Sequence, residues 1–448
     1  MSHSSGPNSR LKPPESVLGI TRELERAGFE AWCVGGAVRD ALLGHAHLDW
    51  DLATNATPDE VARVFGRRRT IPVGIAFGTV GVLDAAGVLH EVTTFRRDVR
   101  TDGRHAEVEF GASLDEDLAR RDFTINAMAF SPASGVLHDP HGGQRDLTGG
   151  LIRAVGDPDQ RMKEDRLRAL RAIRFAARLG FSIAPETWDA IRASAPYLTR
   201  LSAERVKQEL EKTMDQVARP SAALEQWRDS GALAVLIPEL ADVSSDALRA
   251  IDHAAMPGLK NRPGRRLVRF AALFSDLGGA GVLRVATRLR FSKHDAQWLA
   301  GLVDAWKAVG TAMAEGLRGD IGPATLRRWV ARIGRLNLHA YFRLALARWE
   351  AQSARGVPAP TARAVQRLYR RSARAALTEP VDLRDLAVDG DDLRSAGIAP
   401  GPALGKILAA LLDRVIEEPE LNTRERLLQL ARAPEAGART TKNDGAGS

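Results

Sequence analysis

The chain has 448 residues, 44% hydrophobic and 27% charged, with 64 Lys and Arg against 56 Asp and Glu for a formal net charge of +8. This composition excludes a disordered or collagen-like chain, and at about 100–200 residues per domain it predicts several globular domains. A single cysteine, Cys33, excludes an internal disulfide and a multi-cysteine zinc site and fits a reducing compartment. No apolar run is long enough to span a bilayer and the polar N-terminus lacks a signal-type core, so a soluble, cytoplasmic protein without a membrane partner is expected.

The charge is unevenly divided. Residues 1–150 hold 16 Lys and Arg against 21 Asp and Glu, a net of −5, and residues 151–448 hold 48 against 35, a net of +13. A polyanion is a candidate partner for the basic part. Of the 64 cations 55 are Arg, whose planar fork suits phosphate, although genome composition produces the same bias.

In chain order, 1–14 and 433–448 are rich in small and polar residues without apolar period and are predicted to be disordered. Short apolar or β-branched runs at Ala31–Val34, Leu48–Leu52, Thr79–Leu83 and Val88–Thr94, broken by glycine, predict strands of a mixed α/β domain over 15–155. From Asp157 onward strand signals vanish and the period is helical. Asp157, Pro158 and Gln160 mark a helix start, and Leu167, Leu170, Ile173 and Ala177 form its apolar stripe. Further helices are predicted at 185–196, 202–217, 219–230, 246–255, 264–278, 294–310, 323–335, 338–354, 360–376, 402–417 and 422–432, with no repeat of fixed period.

The densest chemistry is VGGAVRDALLG at 34–44 followed by LDWDLAT at 48–54. Gly35 and Gly36 follow a predicted strand and precede a helix, an arrangement that lets backbone N–H groups approach a phosphate, with Arg39 in reach. Asp49 and Asp51, two apart on the next strand, project from one face. Two carboxylates beside a phosphate cradle form a Mg²⁺ site for phosphoryl or nucleotidyl transfer. Singly, a GG turn is usually only a turn and D-x-D a solvated strand end; their order and spacing carry the reading. Glu91, on a later strand, is the candidate third metal ligand, and a partner for a neighbouring Arg is its plain alternative.

The sequence GGAVRD with DWD, then EVTTFRRD, DGRHAEVEF, RRDFTINAMA and EDRLRALRAIRF, closely resembles the bacterial class II tRNA nucleotidyltransferase/poly(A) polymerase family, and within it the CCA-adding enzymes. The likeness is dense over 31–215 and returns in GDDLRSAGIAPGPALGKIL and NTRERLLQLA near the C-terminus. It implies a polymerase-β-type, mixed-sheet nucleotidyltransferase head (15–155), then an all-helical neck (156–220), body (221–355) and tail (356–432). It also implies that Gly36 and Arg39 contact a triphosphate, that Asp49 and Asp51 hold the metals, and that Arg121 and Asp122 hold triphosphate and ribose. Asp146, Gly150 and Arg153 match the family's head–neck hinge motif, with a buried ion pair as the simpler reading. One departure stands out: Phe77 occupies a position where the family commonly has His.

Asp165 and Arg168, three apart, are expected on one helix face. Cytosine and adenine both present an amino donor beside a ring-nitrogen acceptor; a carboxylate accepts from the first while a guanidinium donates to the second. Guanine and uracil reverse the pattern, so two side chains select C and A without a template. An i,i+3 helix salt bridge is the alternative. By resemblance Arg171 and Arg174 also reach the nucleotide; a solvated face is the alternative. Farther on, Arg328, Arg332 and Arg335, and Arg363, Arg367, Arg370, Arg371 and Arg374, fall at helical spacing as stripes suited to an RNA backbone, or as solvated faces. Trp329 and Tyr369 among them are expected in the core.

The expected activity is therefore addition of CCA to tRNA 3′ ends from CTP and ATP with Mg²⁺, two ions in all, and release of pyrophosphate, with no obligate protein partner. The alternatives are a CC-adding or A-adding enzyme, a poly(A) polymerase, and a catalytically silent RNA-binding protein. FSDLG at 274–278 lacks the His of a phosphohydrolase motif, and GPALGK at 401–406 has the wrong spacing for a P-loop.

Overall fold

The structure is a computed structural model that describes residues 10–45, 50–101, 106–254 and 263–432. The chain divides into two compact units, one running to Ala241 and the other starting at Asp242.

The first unit opens with α1 (Glu15–Arg26), β1 (Ala31–Val34), α2 (Gly36–Leu42), β2 (Asp51–Thr54), α3 (Pro58–Phe65), β3 (Thr70–Gly74), β4 (Thr79–Leu83) and β5 (Leu89–Thr94). It continues with β6 (Arg96–Thr101), β7 (Ala106–Phe110), α4 (Leu114–Ala119), β8 (Ala129–Phe130), β9 (Leu137–His138), α5 (Gly143–Thr148) and β10 (Leu151–Ile152). Seven strands form one sheet in the order β3-β4-β5-β2-β1-β8-β9. Only β2 and β5 pair in parallel; the other neighbours are antiparallel. Local chemistry sets the helix starts. Thr57 and Glu60 cap α3 reciprocally, as Ser113 and Glu116 cap α4, satisfying N–H groups that the first helical turn leaves open.

The register places the chemistry. Val34 lies opposite Asp51 and Cys33 opposite Leu52, so the turn at Gly35 sits beside the first residue of β2. Val34 and Ala53 share the Asp51 face and pack with Phe95, Leu118, Ala127, Ala129 and Val155 in a buried cluster. This cluster gives the cleft a rigid floor.

Helical structure follows: α6 (Pro158–Glu164), α7 (Leu167–Leu179), α8 (Pro185–Ser194), α9 (Ala203–Gln216), α10 (Pro220–Asp229) and α11 (Ala232–Leu236). Three expectations change here. Strand structure does not end at Asp157, because β11 (Ser182–Ile183) pairs in parallel with β10. The helix begun by Asp157, whose carboxylate accepts from the N–H groups of Asp159 and Gln160, is interrupted: Asp165 is extended, at φ −145° and ψ 105°, and α7 starts afresh. The N-terminal segment expected to be disordered is anchored at its end, with Leu11 buried and Arg10 donating to the Leu42 carbonyl at 3.2 Å; residues 1–9 and 433–448 lie outside the described residues.

The second unit is helical: α12 (Ser245–His253), α13 (Pro263–Leu273), α14 (Gly278–Arg288), α15 (Lys293–Gly316), α16 (Pro323–Ile333) and α17 (Leu338–Ser353). Then come α18 (Ala362–Thr378), α19 (Gly390–Ser395), α20 (Pro402–Glu417) and α21 (Arg424–Arg432). The periodicity predicts neither the glycine-rich α14 nor the short α11 and α19. Leu393, Leu411, Val415, Leu427 and Ala431 form the core of its C-terminal part. Among the described residues no helix is long and apolar enough to cross a membrane.

Candidate active site

A cleft of about 690 Å³ opens at the Gly35 turn, lined by ten Arg and Lys side chains and four carboxylates. Six of the ten cations come from beyond residue 150, so the helices that follow the acidic N-terminal part make the cavity strongly cationic, the electrostatics of a polyphosphate site.

Gly35 has φ 73°, and a Cβ there would lie 3.1 Å from Nη1 of Arg121. Glycine is needed both for the left-handed backbone and for that approach. Asp51 and Glu91 line the same cleft. Leu52 pairs with Val92 in parallel register, so Asp51 and Glu91, one residue earlier on each strand, stand side by side on one face. Asp49 lies outside the described residues, and among those described no group of three His, Cys, Asp or Glu forms a metal cage.

Arg39 is buried. It donates from Nε to Asp40 at 2.7 Å and from Nη1 to Asn126 Oδ1 at 2.6 Å. Burial pulls its guanidinium below the ordinary arginine value, and Asp40 opposes this. Asn126 in turn donates to Asp122 Oδ1 at 2.9 Å, and Arg171 grips Asp122 Oδ2 at 2.6 and 2.9 Å. Burial works against ionisation of Asp122, but Arg171 and Asn126 outweigh it and hold its carboxyl below the usual range. Arg121 pairs with the buried Asp117 at 3.1 Å. Arg174 is held by Glu209 at 2.7 Å and Gln216 at 3.2 Å. Asp146, which is buried, accepts from Thr124 at 2.8 Å and pairs with the partly exposed Arg153 at 3.1 Å.

Asp165 and Arg168 both line the cleft, but they are not an i,i+3 helix pair. Asp165 sits in the break before α7, accepting from the Leu167 N–H at 3.0 Å and from Arg205 at 2.8 Å. Arg168 donates to Glu164 at 2.8 Å and to the Arg120 carbonyl at 2.8 Å. The carboxylate and guanidinium are therefore separately anchored, as a fixed donor–acceptor pair requires.

Sequence reasoning gave no role to Asn126, Glu164 or Arg205. Asn126 and Glu164 lie inside quoted motifs, RRDFTINAMA and EDRLRALRAIRF; Arg205 is joined to the site only by the packing of α9, which no local pattern reports.

The first arginine stripe differs from expectation. Helix α16 ends at Ile333, so Arg335 falls in the following turn and pairs with Asp385 at 2.5 Å, while Arg328 pairs with Glu417. Along α18, Arg363, Arg367, Arg370, Arg371 and Arg374 are all exposed, and Arg371 also donates to the Ile321 carbonyl at 2.7 Å. Trp329 is buried; Tyr369 is half-buried against Phe342, their rings 5.5 Å apart.

Fold and cleft define a nucleotidyltransferase. Residues 31–153 match the Poly A polymerase head domain, 180–243 the "Probable RNA and SrmB- binding site of polymerase A", and 364–431 the tRNA nucleotidyltransferase domain 2. The chain belongs to the family of CCA-adding enzymes: that of Latilactobacillus sakei is 37% identical over 421 residues, covering 93% of this chain and 97% of its own length. That of Geobacillus thermodenitrificans is 48% identical over 237 residues, spanning 52% of this chain and 57% of the relative. The crystal structure of the Bacillus stearothermophilus CCA-adding enzyme in complex with CTP is similar, at 31% identity and TM-score 0.70 over 94% of this chain and 97% of that one.

Proposed function

We propose that this chain is a template-independent tRNA nucleotidyltransferase of the cytoplasm that adds CCA to tRNA 3′ ends from CTP and ATP and releases pyrophosphate. The working division is head 15–155, neck 156–220, body 221–355 and tail 356–432. The carrying observation is one cleft with a glycine turn and cationic wall, carboxylates Asp51 and Glu91 on one face, and the separately anchored Asp165 and Arg168.

Each group has a task. The backbone at Gly35 and Gly36, with Arg39 and Arg121, receives the triphosphate and meets the charge that develops on pyrophosphate as it leaves. Asp122, fixed by Arg171 and Asn126, faces the ribose. Asp165 accepts a hydrogen bond from the exocyclic amino group of cytosine or adenine and Arg168 donates one to the adjacent ring nitrogen, while Arg171 and Arg174 complete the nucleotide side. Asp51 and Glu91 are hard oxygen donors on adjacent strands, a set that suits Mg²⁺, with Asp49 as their sequence-predicted companion. Two Mg²⁺ ions there would supply Lewis-acid activation of the primer 3′-hydroxyl and charge neutralisation at the α-phosphate. The exposed arginines of α18, together with Arg328, Arg332 and Arg335, are the proposed RNA contacts.

The test is direct. Purified protein is given tRNA lacking its 3′ CCA with CTP, ATP or both, and the products are sequenced. CCA from the mixture is expected. CC alone or a single A identifies a partial enzyme, long A tails a poly(A) polymerase, and no extension removes the catalytic reading.

A further inference from the structure

The head sheet runs away from the glycine turn in a fixed order: β1, which ends at that turn, then β2, β5, β4 and β3, with neighbours ~4.8 Å apart. Residues directly opposite across a ladder share a face. Glu91 on β5 is opposite Gly81 on β4, and Gly81 is opposite Ile71 on β3. Asp51, Glu91, Gly81 and Ile71 therefore form one row across the cleft side of the sheet. Leu89, two residues before Glu91 on the same strand, shares that face. Val73 and Leu89 close over Gly81: a Cβ added there would lie 2.9 Å from Val73 Cγ2 and 2.6 Å from Leu89 Cδ1.

Ile71, Val73 and Leu89 are 41%, 46% and 41% exposed. They continue the face on which Glu91 and Thr79 line the cleft, so a strongly charged cavity gives way along one edge to an aliphatic shelf. Exposed aliphatics on the outermost strand of a sheet are a liability that proteins ordinarily blunt with charge.

In-line transfer places the attacking 3′-oxygen opposite the leaving pyrophosphate. Gly35, Arg39 and Arg121 mark the pyrophosphate side. The opposite direction along the row passes Asp51 and Glu91 and arrives at the shelf. We infer that Ile71, Val73 and Leu89 form the subsite for the terminal base of the RNA primer, an unpaired nucleobase lying on aliphatic side chains beside Glu91. The inference rests on the proposed nucleotidyl transfer. A shelf without hydrogen-bonding groups suits a primer whose last base changes with each addition: dispersion and desolvation accept every base, whereas a polar site would reject those it could not pair. Gly81 keeps the shelf low enough for a planar ring.

The test uses the full chain. Val73→Ser combined with Leu89→Ser, and Ile71→Ser separately, alter exposed positions. The double variant is expected to raise KM for tRNA lacking CCA about tenfold, leaving KM for CTP and the melting temperature unchanged. A tRNA with an abasic terminal nucleotide should weaken the wild type by a similar factor and the double variant hardly further, because both changes remove the same contact. An unchanged primer KM in both variants overturns the subsite, as does an abasic penalty equal in wild type and double variant. A wild-type dimer dissolved by the substitutions at unchanged primer KM would assign the shelf to self-association instead. In these three cases wild-type extension survives and only the subsite falls; failure of the wild type to extend any primer removes both readings.

Discussion

Arg205 holds the carboxylate of Asp165 at 2.8 Å across 40 residues of sequence. Its Oδ1 is fixed by the Leu167 N–H at 3.0 Å, so the carboxylate proposed to accept from the base amino group is already oriented by the protein. A good base-edge contact is worth about 1–3 kcal/mol of discrimination. Asp165→Ala should lower kcat/KM for CTP and ATP by roughly 10–100-fold, with a much smaller loss for UTP and GTP. Single-nucleotide incorporation with each of the four triphosphates reads this, and an equal loss for all four would show that Asp165 does not select the base.

Asn126 predicts the opposite pattern. It touches Arg39 at 2.6 Å and Asp122 at 2.9 Å, joining the residues proposed for the phosphate side of the cleft to the one proposed for the ribose. Asn126→Ala removes the partner of Arg39 Nη1 and one of the two donors to Asp122 Oδ1, at about 1–3 kcal/mol of stability. KM should rise by a common factor, about tenfold, for CTP and ATP, with C-over-U discrimination intact. Loss of discrimination would place Asn126 at the base instead.

The contrast between these residues shows what the sequence carried. Strands 31–34 and 79–83 are legible because a short apolar run stops at Gly35 in the first and starts after Gly78 in the second, and the Gly35, Gly36 and Asp51 cluster because motif spacing survives folding. The break at Asp165 was not legible: the apolar stripe continues in register from Leu167, and only the extended backbone at Asp165 divides α6 from α7. The grip of Arg205 on Asp165 and of Glu209 on Arg174 depends on the packing of α9, and a side chain's partner in a distant helix leaves no periodic trace. Arg335 was misplaced for a local reason, since Gly334, at φ 81°, ends the helix just before it.

Acid titration tests the buried carboxylates. Burial opposes ionisation of Asp117 and Asp122, but Arg121 and Arg120 outweigh it for the first and Arg171 for the second, so both carboxyls lie below their ordinary value. A carboxyl depressed in the folded state contributes stability that is complete above its unfolded pKa of about 3.9 and is lost as pH falls through the folded value. The wild-type melting temperature should hold from neutrality to about pH 5 and drop below about pH 4. Asp122→Asn should start lower at neutral pH, its Arg171 partner uncompensated, and drop less on acidification. Parallel curves would mean that Asp122 titrates alike in both states.

The carboxylate row is tested by separating chemistry from binding. Asp49→Ala and Asp51→Ala should each abolish extension while leaving tRNA affinity within about twofold, since a metal-binding carboxylate stabilises the transition state more than the RNA complex. Glu91→Gln keeps the shape and removes the charge; a loss of extension that raised Mg²⁺ partly restores would support a third ligand. Full activity in Asp51→Ala would contradict the metal assignment.

The α18 arginines should report on RNA through salt. Each phosphate contact released contributes nearly one to the slope of log affinity against log salt. Arg363, Arg367, Arg370 and Arg374 are exposed along one helix, whereas Arg328 and Arg335 are engaged by Glu417 and Asp385 and must leave those partners before meeting a phosphate. Arg367→Ala with Arg370→Ala should therefore flatten the slope for tRNA by about one to two, and Arg328→Ala with Arg335→Ala by less. The double substitution on α18 should raise primer KM without changing kcat for a bound primer. Binding isotherms between roughly 50 and 200 mM salt measure the slopes; equal slopes in wild type and the α18 variant would identify that face as solvated rather than RNA-binding.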